Sequence, residues 1–211
     1  MGSRSRSGSP EGGGPAAKVL KDVADSFSPL SPKQRGKGDQ GDGQGGQGGN
    51  QDDAIRRYTT GSEALNRYLR TTDKSKYSKA DREKFDKEAA DVSAALEKYP
   101  PVPGKSWRGA PAGDWLDKTK KDGLFSDPAF MSTSTSEGAA SRFKSIATGA
   151  FSGNKSDGVM ISIDGKNGRD ISGGSSLAHQ KEVLFDQGTL FKVKDKRKED
   201  DTTYLDLEEL T

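Results

Sequence analysis

The run QKEVLFDQGTLFKVK, residues 180–194, has apolar strand-like stretches on either side of a turn. Val183 to Phe185 is continuously apolar, TLFKVK (189–194) alternates, and Asp186-Gln187-Gly188 lies between them, so two strands and a tight connection are predicted. TTYLDLE (202–208) supplies another strand downstream. Upstream, SWRGA (106–110), AFMSTS (129–134), GVMISID (158–164) and GRDIS (168–172) read the same way between glycine-rich turns. Earlier still the period changes from two to between three and four. DDAIRRY (52–58) and ALNRYLR (64–70) read as helices that Gly61 separates. Ser78 and Asp81 resemble a capping box ahead of Phe85, Ala89, Val92, Leu96 and Tyr99 at helical spacing, and Pro100, Pro101 and Pro103 stop that helix. Two short helices are expected between strands, at Asp114–Lys121 and Glu137–Ala147. Helices first and strands later predict an α+β domain.

The chain has 211 residues, of which 29% are hydrophobic, and much of its glycine precedes residue 50. One compact domain is therefore expected. Residues 1–51 are Gly, Ser, Pro and Gln with scattered charge, which predicts a disordered linker, and residues 52–211 hold the domain. Within the arm, Val19, Leu20, Val23 and Phe27 allow a transient helix. The 34 basic and 32 acidic residues interleave to a formal charge of +2, which gives no strong field toward nucleic acid or membrane. There is no cysteine, so no disulfide frame or thiol nucleophile. No apolar run reaches the roughly 20 residues that span a bilayer, and the opening lacks the apolar segment of a secretory signal, so the chain reads as soluble.

Common catalytic signatures are missing. Gly104-Lys105-Ser106 ends like a phosphate loop, but Tyr99 stands where the first glycine belongs. The lone His179 has no serine elbow to serve, and no metal is expected from the acidic tail, which lacks calcium-loop spacing. What remains is a set of polar residues on predicted strands. Gln180 and Glu182 share one face by alternation, as do Ser132 and Ser134, and Arg108 sits beside Trp107 ahead of a flexible Gly109. Arginine offers a rigid fork to phosphate, serine can orient a carboxylate, and glutamate can stabilise positive charge on a sugar.

In this order, Arg, aromatic-x-Ser-Thr-Ser and Gln-x-Glu resemble the R-S-E class of mono-ADP-ribosyltransferases. LNRYLR (65–70), WRGA (107–110) and EVLFDQGTLFKV (182–193) extend the similarity, which runs from about Ala54 to Leu207. The resemblance implies two packed β-sheets forming an NAD cleft, with helices Asp53–Arg70 and Ser78–Tyr99 over one side. It implies NAD as co-substrate, bound by Arg108 and the Ser132, Thr133 and Ser134 strand. Ser132 would position Glu182, and Glu182 would bind the ribose and stabilise the oxocarbenium-like state. Phe151, in GAFSG (149–153), would pack on nicotinamide. Gln180 in that family goes with asparagine, glutamine or guanine acceptors, whereas a glutamate there goes with arginine. Ser175 to His179 lack the aromatic of the Rho-modifying exoenzymes, which argues against a Rho-type acceptor. The expectation is a monomeric toxin or effector, secreted, delivered or cytoplasmic, acting on a protein or a guanine-containing nucleic acid. NAD glycohydrolysis and an inactive binding module are the competing readings.

Overall fold

A computed structural model of the chain describes residues 50–149, 157–173 and 181–210. The expected arm lies outside the described residues except at its last two positions, where the first helix already begins. Helix α1 (Asn50–Arg70) consists of two helical segments that meet at a kink at Gly61, whose φ of −155° and ψ of 32° are not helical. The expected break at Gly61 between two short helices is present as this kink. Helix α2 (Lys79–Leu96) starts on Ser78, whose Oγ accepts from the Asp81 amide at 3.1 Å and donates to Asp81 Oδ2 at 2.7 Å. The capping pair read from the sequence is therefore present.

The strands follow as β1 (Gly104–Pro111), β2 (Leu124–Ser126), β3 (Met131–Ser134), β4 (Gly158–Gly165), β5 (Arg169–Asp170), β6 (Glu182–Phe185), β7 (Leu190–Glu199) and β8 (Thr202–Glu209). Helix α3 (Asp114–Lys118) and helix α4 (Glu137–Ala147) lie between them. α3 ends three residues sooner than predicted because Thr119 is extended, and Lys196 Nζ donates to the carbonyls of Leu116 and Thr119. α4 has the predicted bounds, with Ser136 as its N-cap.

Hydrogen bonding joins all eight strands in the order β2-β7-β8-β4-β1-β3-β6-β5. The expected pair of packed layers is present as the two ends of this one sheet. β1 and β4 are paired along their whole length, but β1 and β3 meet at a single position, Trp107 opposite Ser134. At that seam the sheet turns back on itself. Met131, Val183 and Phe185 from β3 and β6 then pack against Ile161, Ile163, Phe191, Val193, Leu205 and Leu207 from the larger half. Alternation turns Leu184 to the other face, where it joins Phe130 and Ile171 beneath Ile55, Tyr58 and Leu65 of α1 and Val92 of α2. Burying one such side chain contributes about 1.5–3 kcal/mol. The two apolar layers therefore fix β3 and β6 from both sides.

Gly109 was read as flexible, yet its place has a steric cause. A Cβ there would lie 2.1 Å from the Ala140 carbonyl oxygen and 2.6 Å from the Lys144 amide nitrogen, so α4 can rest on β1 only where the side chain is absent.

Candidate active site

A cleft of about 800 Å³ opens where β1 and β3 part from the Trp107–Ser134 seam. Arg108 is the first β1 residue past that pair, and its Nη1 donates to the Ser132 carbonyl at 2.7 Å. The guanidinium thus spans the split where a ladder hydrogen bond would otherwise run. On the β3 side, Ser134 is directly opposite Glu182 and Ser132 opposite Leu184. All four side chains consequently share one face, the face toward α1. Glu182 is only 9% exposed and opens β6 immediately after Lys181, which has the left-handed φ of 48°. That turn delivers the carboxylate to the cleft end of the strand.

Of the residues named from the sequence, Arg108, Ser132, Ser134 and Glu182 come together at this cleft. Thr133 also lines it, but alternation turns its hydroxyl the other way, where Oγ1 donates to the Val183 carbonyl at 2.8 Å. Ser134 Oγ accepts from the Ser136 amide at 3.0 Å and so ties β3 to the start of α4. Gln180, Phe151 and the Ser175–His179 turn lie outside the described residues.

Helix α1 contributes residues to which no role was given in the sequence reading. Arg70 grips Asp127 with both prongs, Nε to Oδ1 at 2.9 Å and Nη2 to Oδ2 at 2.7 Å. Asp127 Oδ1 also accepts from the Ala129 amide at 3.0 Å, which sets the approach to β3. Asn66 Nδ2 donates to the Tyr58 phenol at 3.1 Å, and that phenol lies 3.5 Å from Ser132 Oγ. Asn66 and Arg70 were visible within LNRYLR, four residues apart and hence on one helix face. Tyr58 and Asp127 carried no local signal.

Burial, then the neighbouring Arg70 charge, hold the Arg108 guanidinium below its ordinary pKa, with Asp127, Tyr58 and Glu182 opposing the shift. Burial also acts against charge on Arg70, but the Coulomb attraction and hydrogen bonds of Asp127 together outweigh it and raise that pKa. Arg70 and Arg108 thus lie together at the cleft, with the Asp127 and Glu182 carboxylates both acting on Arg108. An entering diphosphate would relieve the mutual repulsion of the two guanidiniums.

The fold is that of solved ADP-ribosyltransferases. The profile of the ADP-ribosyltransferase exoenzyme family matches residues 110–211. Over 167 residues the chain is 28% identical to a Vibrio splendidus protein provisionally named NAD(+)–arginine ADP-ribosyltransferase Vis, covering 75% of this chain and 64% of that protein. It therefore spans somewhat less than two thirds of that relative. The crystal structure of Vis with the M6 inhibitor superposes with a TM-score of 0.67 at 26% identity, over 77% of this chain and 73% of that one. Exoenzyme S from Pseudomonas aeruginosa, solved with human 14-3-3 protein beta and carba-NAD, gives 0.59 at 26% identity, over 75% and 72%. In profile, sequence and fold the chain is similar to the ADP-ribosylating, toxin-like exoenzymes. Among the described residues, no helix is long and apolar enough to cross a membrane.

Proposed function

We propose that this chain cleaves NAD and transfers ADP-ribose to a macromolecular acceptor other than arginine, as a secreted or delivered toxin or effector. The catalytic unit is residues 52–211, with the preceding segment as a tether. The observation that carries the reading is the convergence of Arg108, Ser132, Ser134 and Glu182 at one end of the β3–β6 pair, beside a cleft of about 800 Å³.

In the first step the bond between ribose C1′ and the nicotinamide nitrogen breaks, and its electron pair leaves with nicotinamide, which departs neutral. Positive charge passes to the ribose. Glu182 holds a fixed negative charge beside that ribose, and attraction in a mostly dry site favours the charged state over the ground state. Arg108, with Arg70 behind it, binds the diphosphate. The acceptor then adds its nucleophilic atom to C1′ and gives up a proton to solvent.

Gln180, two residues before Glu182, supports the choice of acceptor. A guanidinium stays protonated at ordinary pH and calls for a carboxylate partner, whereas an amide pairs with another amide or with a guanine edge. The name of Vis favours the second reading, an arginine acceptor. The test is incubation of the protein and its Glu182→Ala variant with labelled NAD, in turn with agmatine, a guanine nucleotide and a cell lysate. Expected is label on a protein amide or on guanine, lost in the variant, with agmatine unlabelled. Labelled agmatine would establish the arginine reading. Nicotinamide release without label would make the chain a glycohydrolase, and equal release by both proteins would refute the site.

A further inference from the structure

We infer that Tyr58 is a positioning residue that fixes the direction of the Ser132 hydroxyl, and through it the Glu182 carboxylate; the inference rests on the reading of Glu182 as the catalytic group. Tyr58 is 1% exposed, and its ring stands edge-on to Phe130 with centroids 5.3 Å apart and planes at 71°. The ring is therefore held by the residue that leads into β3. Its phenol oxygen has two polar neighbours, Asn66 Nδ2 at 3.1 Å and Ser132 Oγ at 3.5 Å. An amide NH₂ can only donate, so the phenol oxygen accepts from Asn66. The phenol hydrogen, shut away from water, then requires an acceptor, and Ser132 Oγ is in reach. With its oxygen occupied as acceptor, Ser132 has its own hydrogen left to give. Ser132 and Glu182 are diagonal neighbours on one face, since Ser134 is opposite Glu182 and Ser132 opposite Leu184. That hydrogen lies on the face that carries the carboxylate, at the diagonal position beside it.

Two features support the relay. Burial raises the Tyr58 pKa above its ordinary 10.0, against the lowering by its hydrogen bonds to Asn66 and Ser132, so the phenol remains a donor through the neutral range. The kink supplies the geometry. Tyr58 and Asn66 are eight residues apart, about 12 Å along a straight helix, and the bend at Gly61 lies between them. A straight α1 would separate the two side chains.

Tyr58→Phe keeps the ring against Phe130 and removes only the oxygen. Nicotinamide release by the full chain is measured with NAD affinity and the thermal midpoint, beside wild type, Glu182→Ala and Ser132→Ala. Expected is a kcat lowered about tenfold, the scale of one neutral hydrogen bond. NAD Kd should stay within twofold, and Ser132→Ala/Tyr58→Phe should turn over no more slowly than Ser132→Ala. A kcat within twofold of wild type overturns the inference. So does an equal tenfold loss in the Ser132→Ala background, or a loss confined to Kd. If the variant melts lower, a kcat per folded molecule equal to wild type at a permissive temperature overturns it as well. Should wild type and Glu182→Ala release nicotinamide equally, it is the reading of Glu182 that fails. A clear difference between those two with an unaffected Tyr58→Phe removes only the relay.

Discussion

Gly109→Ala is the substitution whose cost follows most directly from the packing of α4 on β1. The added carbon would sit 2.1 Å from Ala140 O, 2.6 Å from Lys144 N and 2.8 Å from Lys144 Cβ, while ordinary contact begins at 3.4 Å. To restore contact the helix must retreat by roughly 1.3 Å, because no rotamer change can move a backbone oxygen. Extra methylenes in packed interiors typically cost about 1–3 kcal/mol, and a clash against helix backbone belongs at the upper end, near 3 kcal/mol. For a domain of this size that lowers the melting temperature by about 6–12 °C. Gly173, where an added Cβ has nothing within 4 Å, is the control, and Gly173→Ala should stay within about 0.5 kcal/mol of wild type. Phe143, Ile146 and Ala147 of α4 line the cleft, so the retreat should also weaken NAD binding. Calorimetric melts of the three proteins and an NAD titration decide the matter. A Gly109→Ala protein that melts within 1 °C of wild type would refute the close packing, and with it the steric explanation of this glycine.

Other perturbations address the polar wall and the helix layer. Asp127→Ala leaves the Arg70 guanidinium, whose side chain is 20% exposed, without its bidentate partner, and should destabilise by roughly 3 kcal/mol, at the lower end for a broken buried pair; a denaturant midpoint unchanged from wild type would contradict it. Tyr68 is buried and donates to Asp86 Oδ1 at 2.6 Å; burial first, then that hydrogen bond and the Asp86 charge, push its pKa from 10.0 up to about 12. Because the folded state keeps this proton longer, its stabilising contribution is complete below pH 10 and is lost as pH climbs from 10 toward 12. Melts across that range should fall less steeply for Tyr68→Phe, and parallel curves would argue against the assignment.

The strands and the capped helices were legible because their signals are local. Ser78 with Asp81 and the run Glu137–Ala147 marked helix limits that the backbone adopts. Ser-x-Ser announced a shared face through the period of two. What no window of sequence contains is the registry between elements far apart in the chain. Asp127 reads as one more acid before a proline, and its meaning comes from Arg70, 57 residues earlier. Tyr58 reads as a core aromatic, which it also is, and its polar end matters only because β3 passes beneath it. Gly109 could be seen, but flexibility was the wrong physical reason, since the helix that excludes its side chain begins 28 residues later.

The seam explains why the polar residues gather where they do. A continuous sheet leaves no backbone groups for a ligand, since each strand satisfies its neighbour. When β1 and β3 separate after one pair, main-chain groups along both edges lose that partner, and the fold must satisfy them or expose them. Arg108 takes the Ser132 carbonyl, and Thr133 Oγ1 takes the Val183 carbonyl within the β3–β6 pair. The Arg108 bond spans the split and the Thr133 bond braces β3 on β6, with apolar layers behind each half resisting collapse. On the proposed reading, a substrate would meet a cleft whose donors and carboxylate are already oriented, so that little reorganisation opposes the buildup of charge in the reacting state. Arg108→Lys is informative for this reason. Lysine keeps the charge but cannot both span the split and present a planar fork to phosphate, so NAD affinity should fall about tenfold or more with the net charge unchanged. Retained affinity in that variant would mean that the cleft is held open by the apolar layers alone.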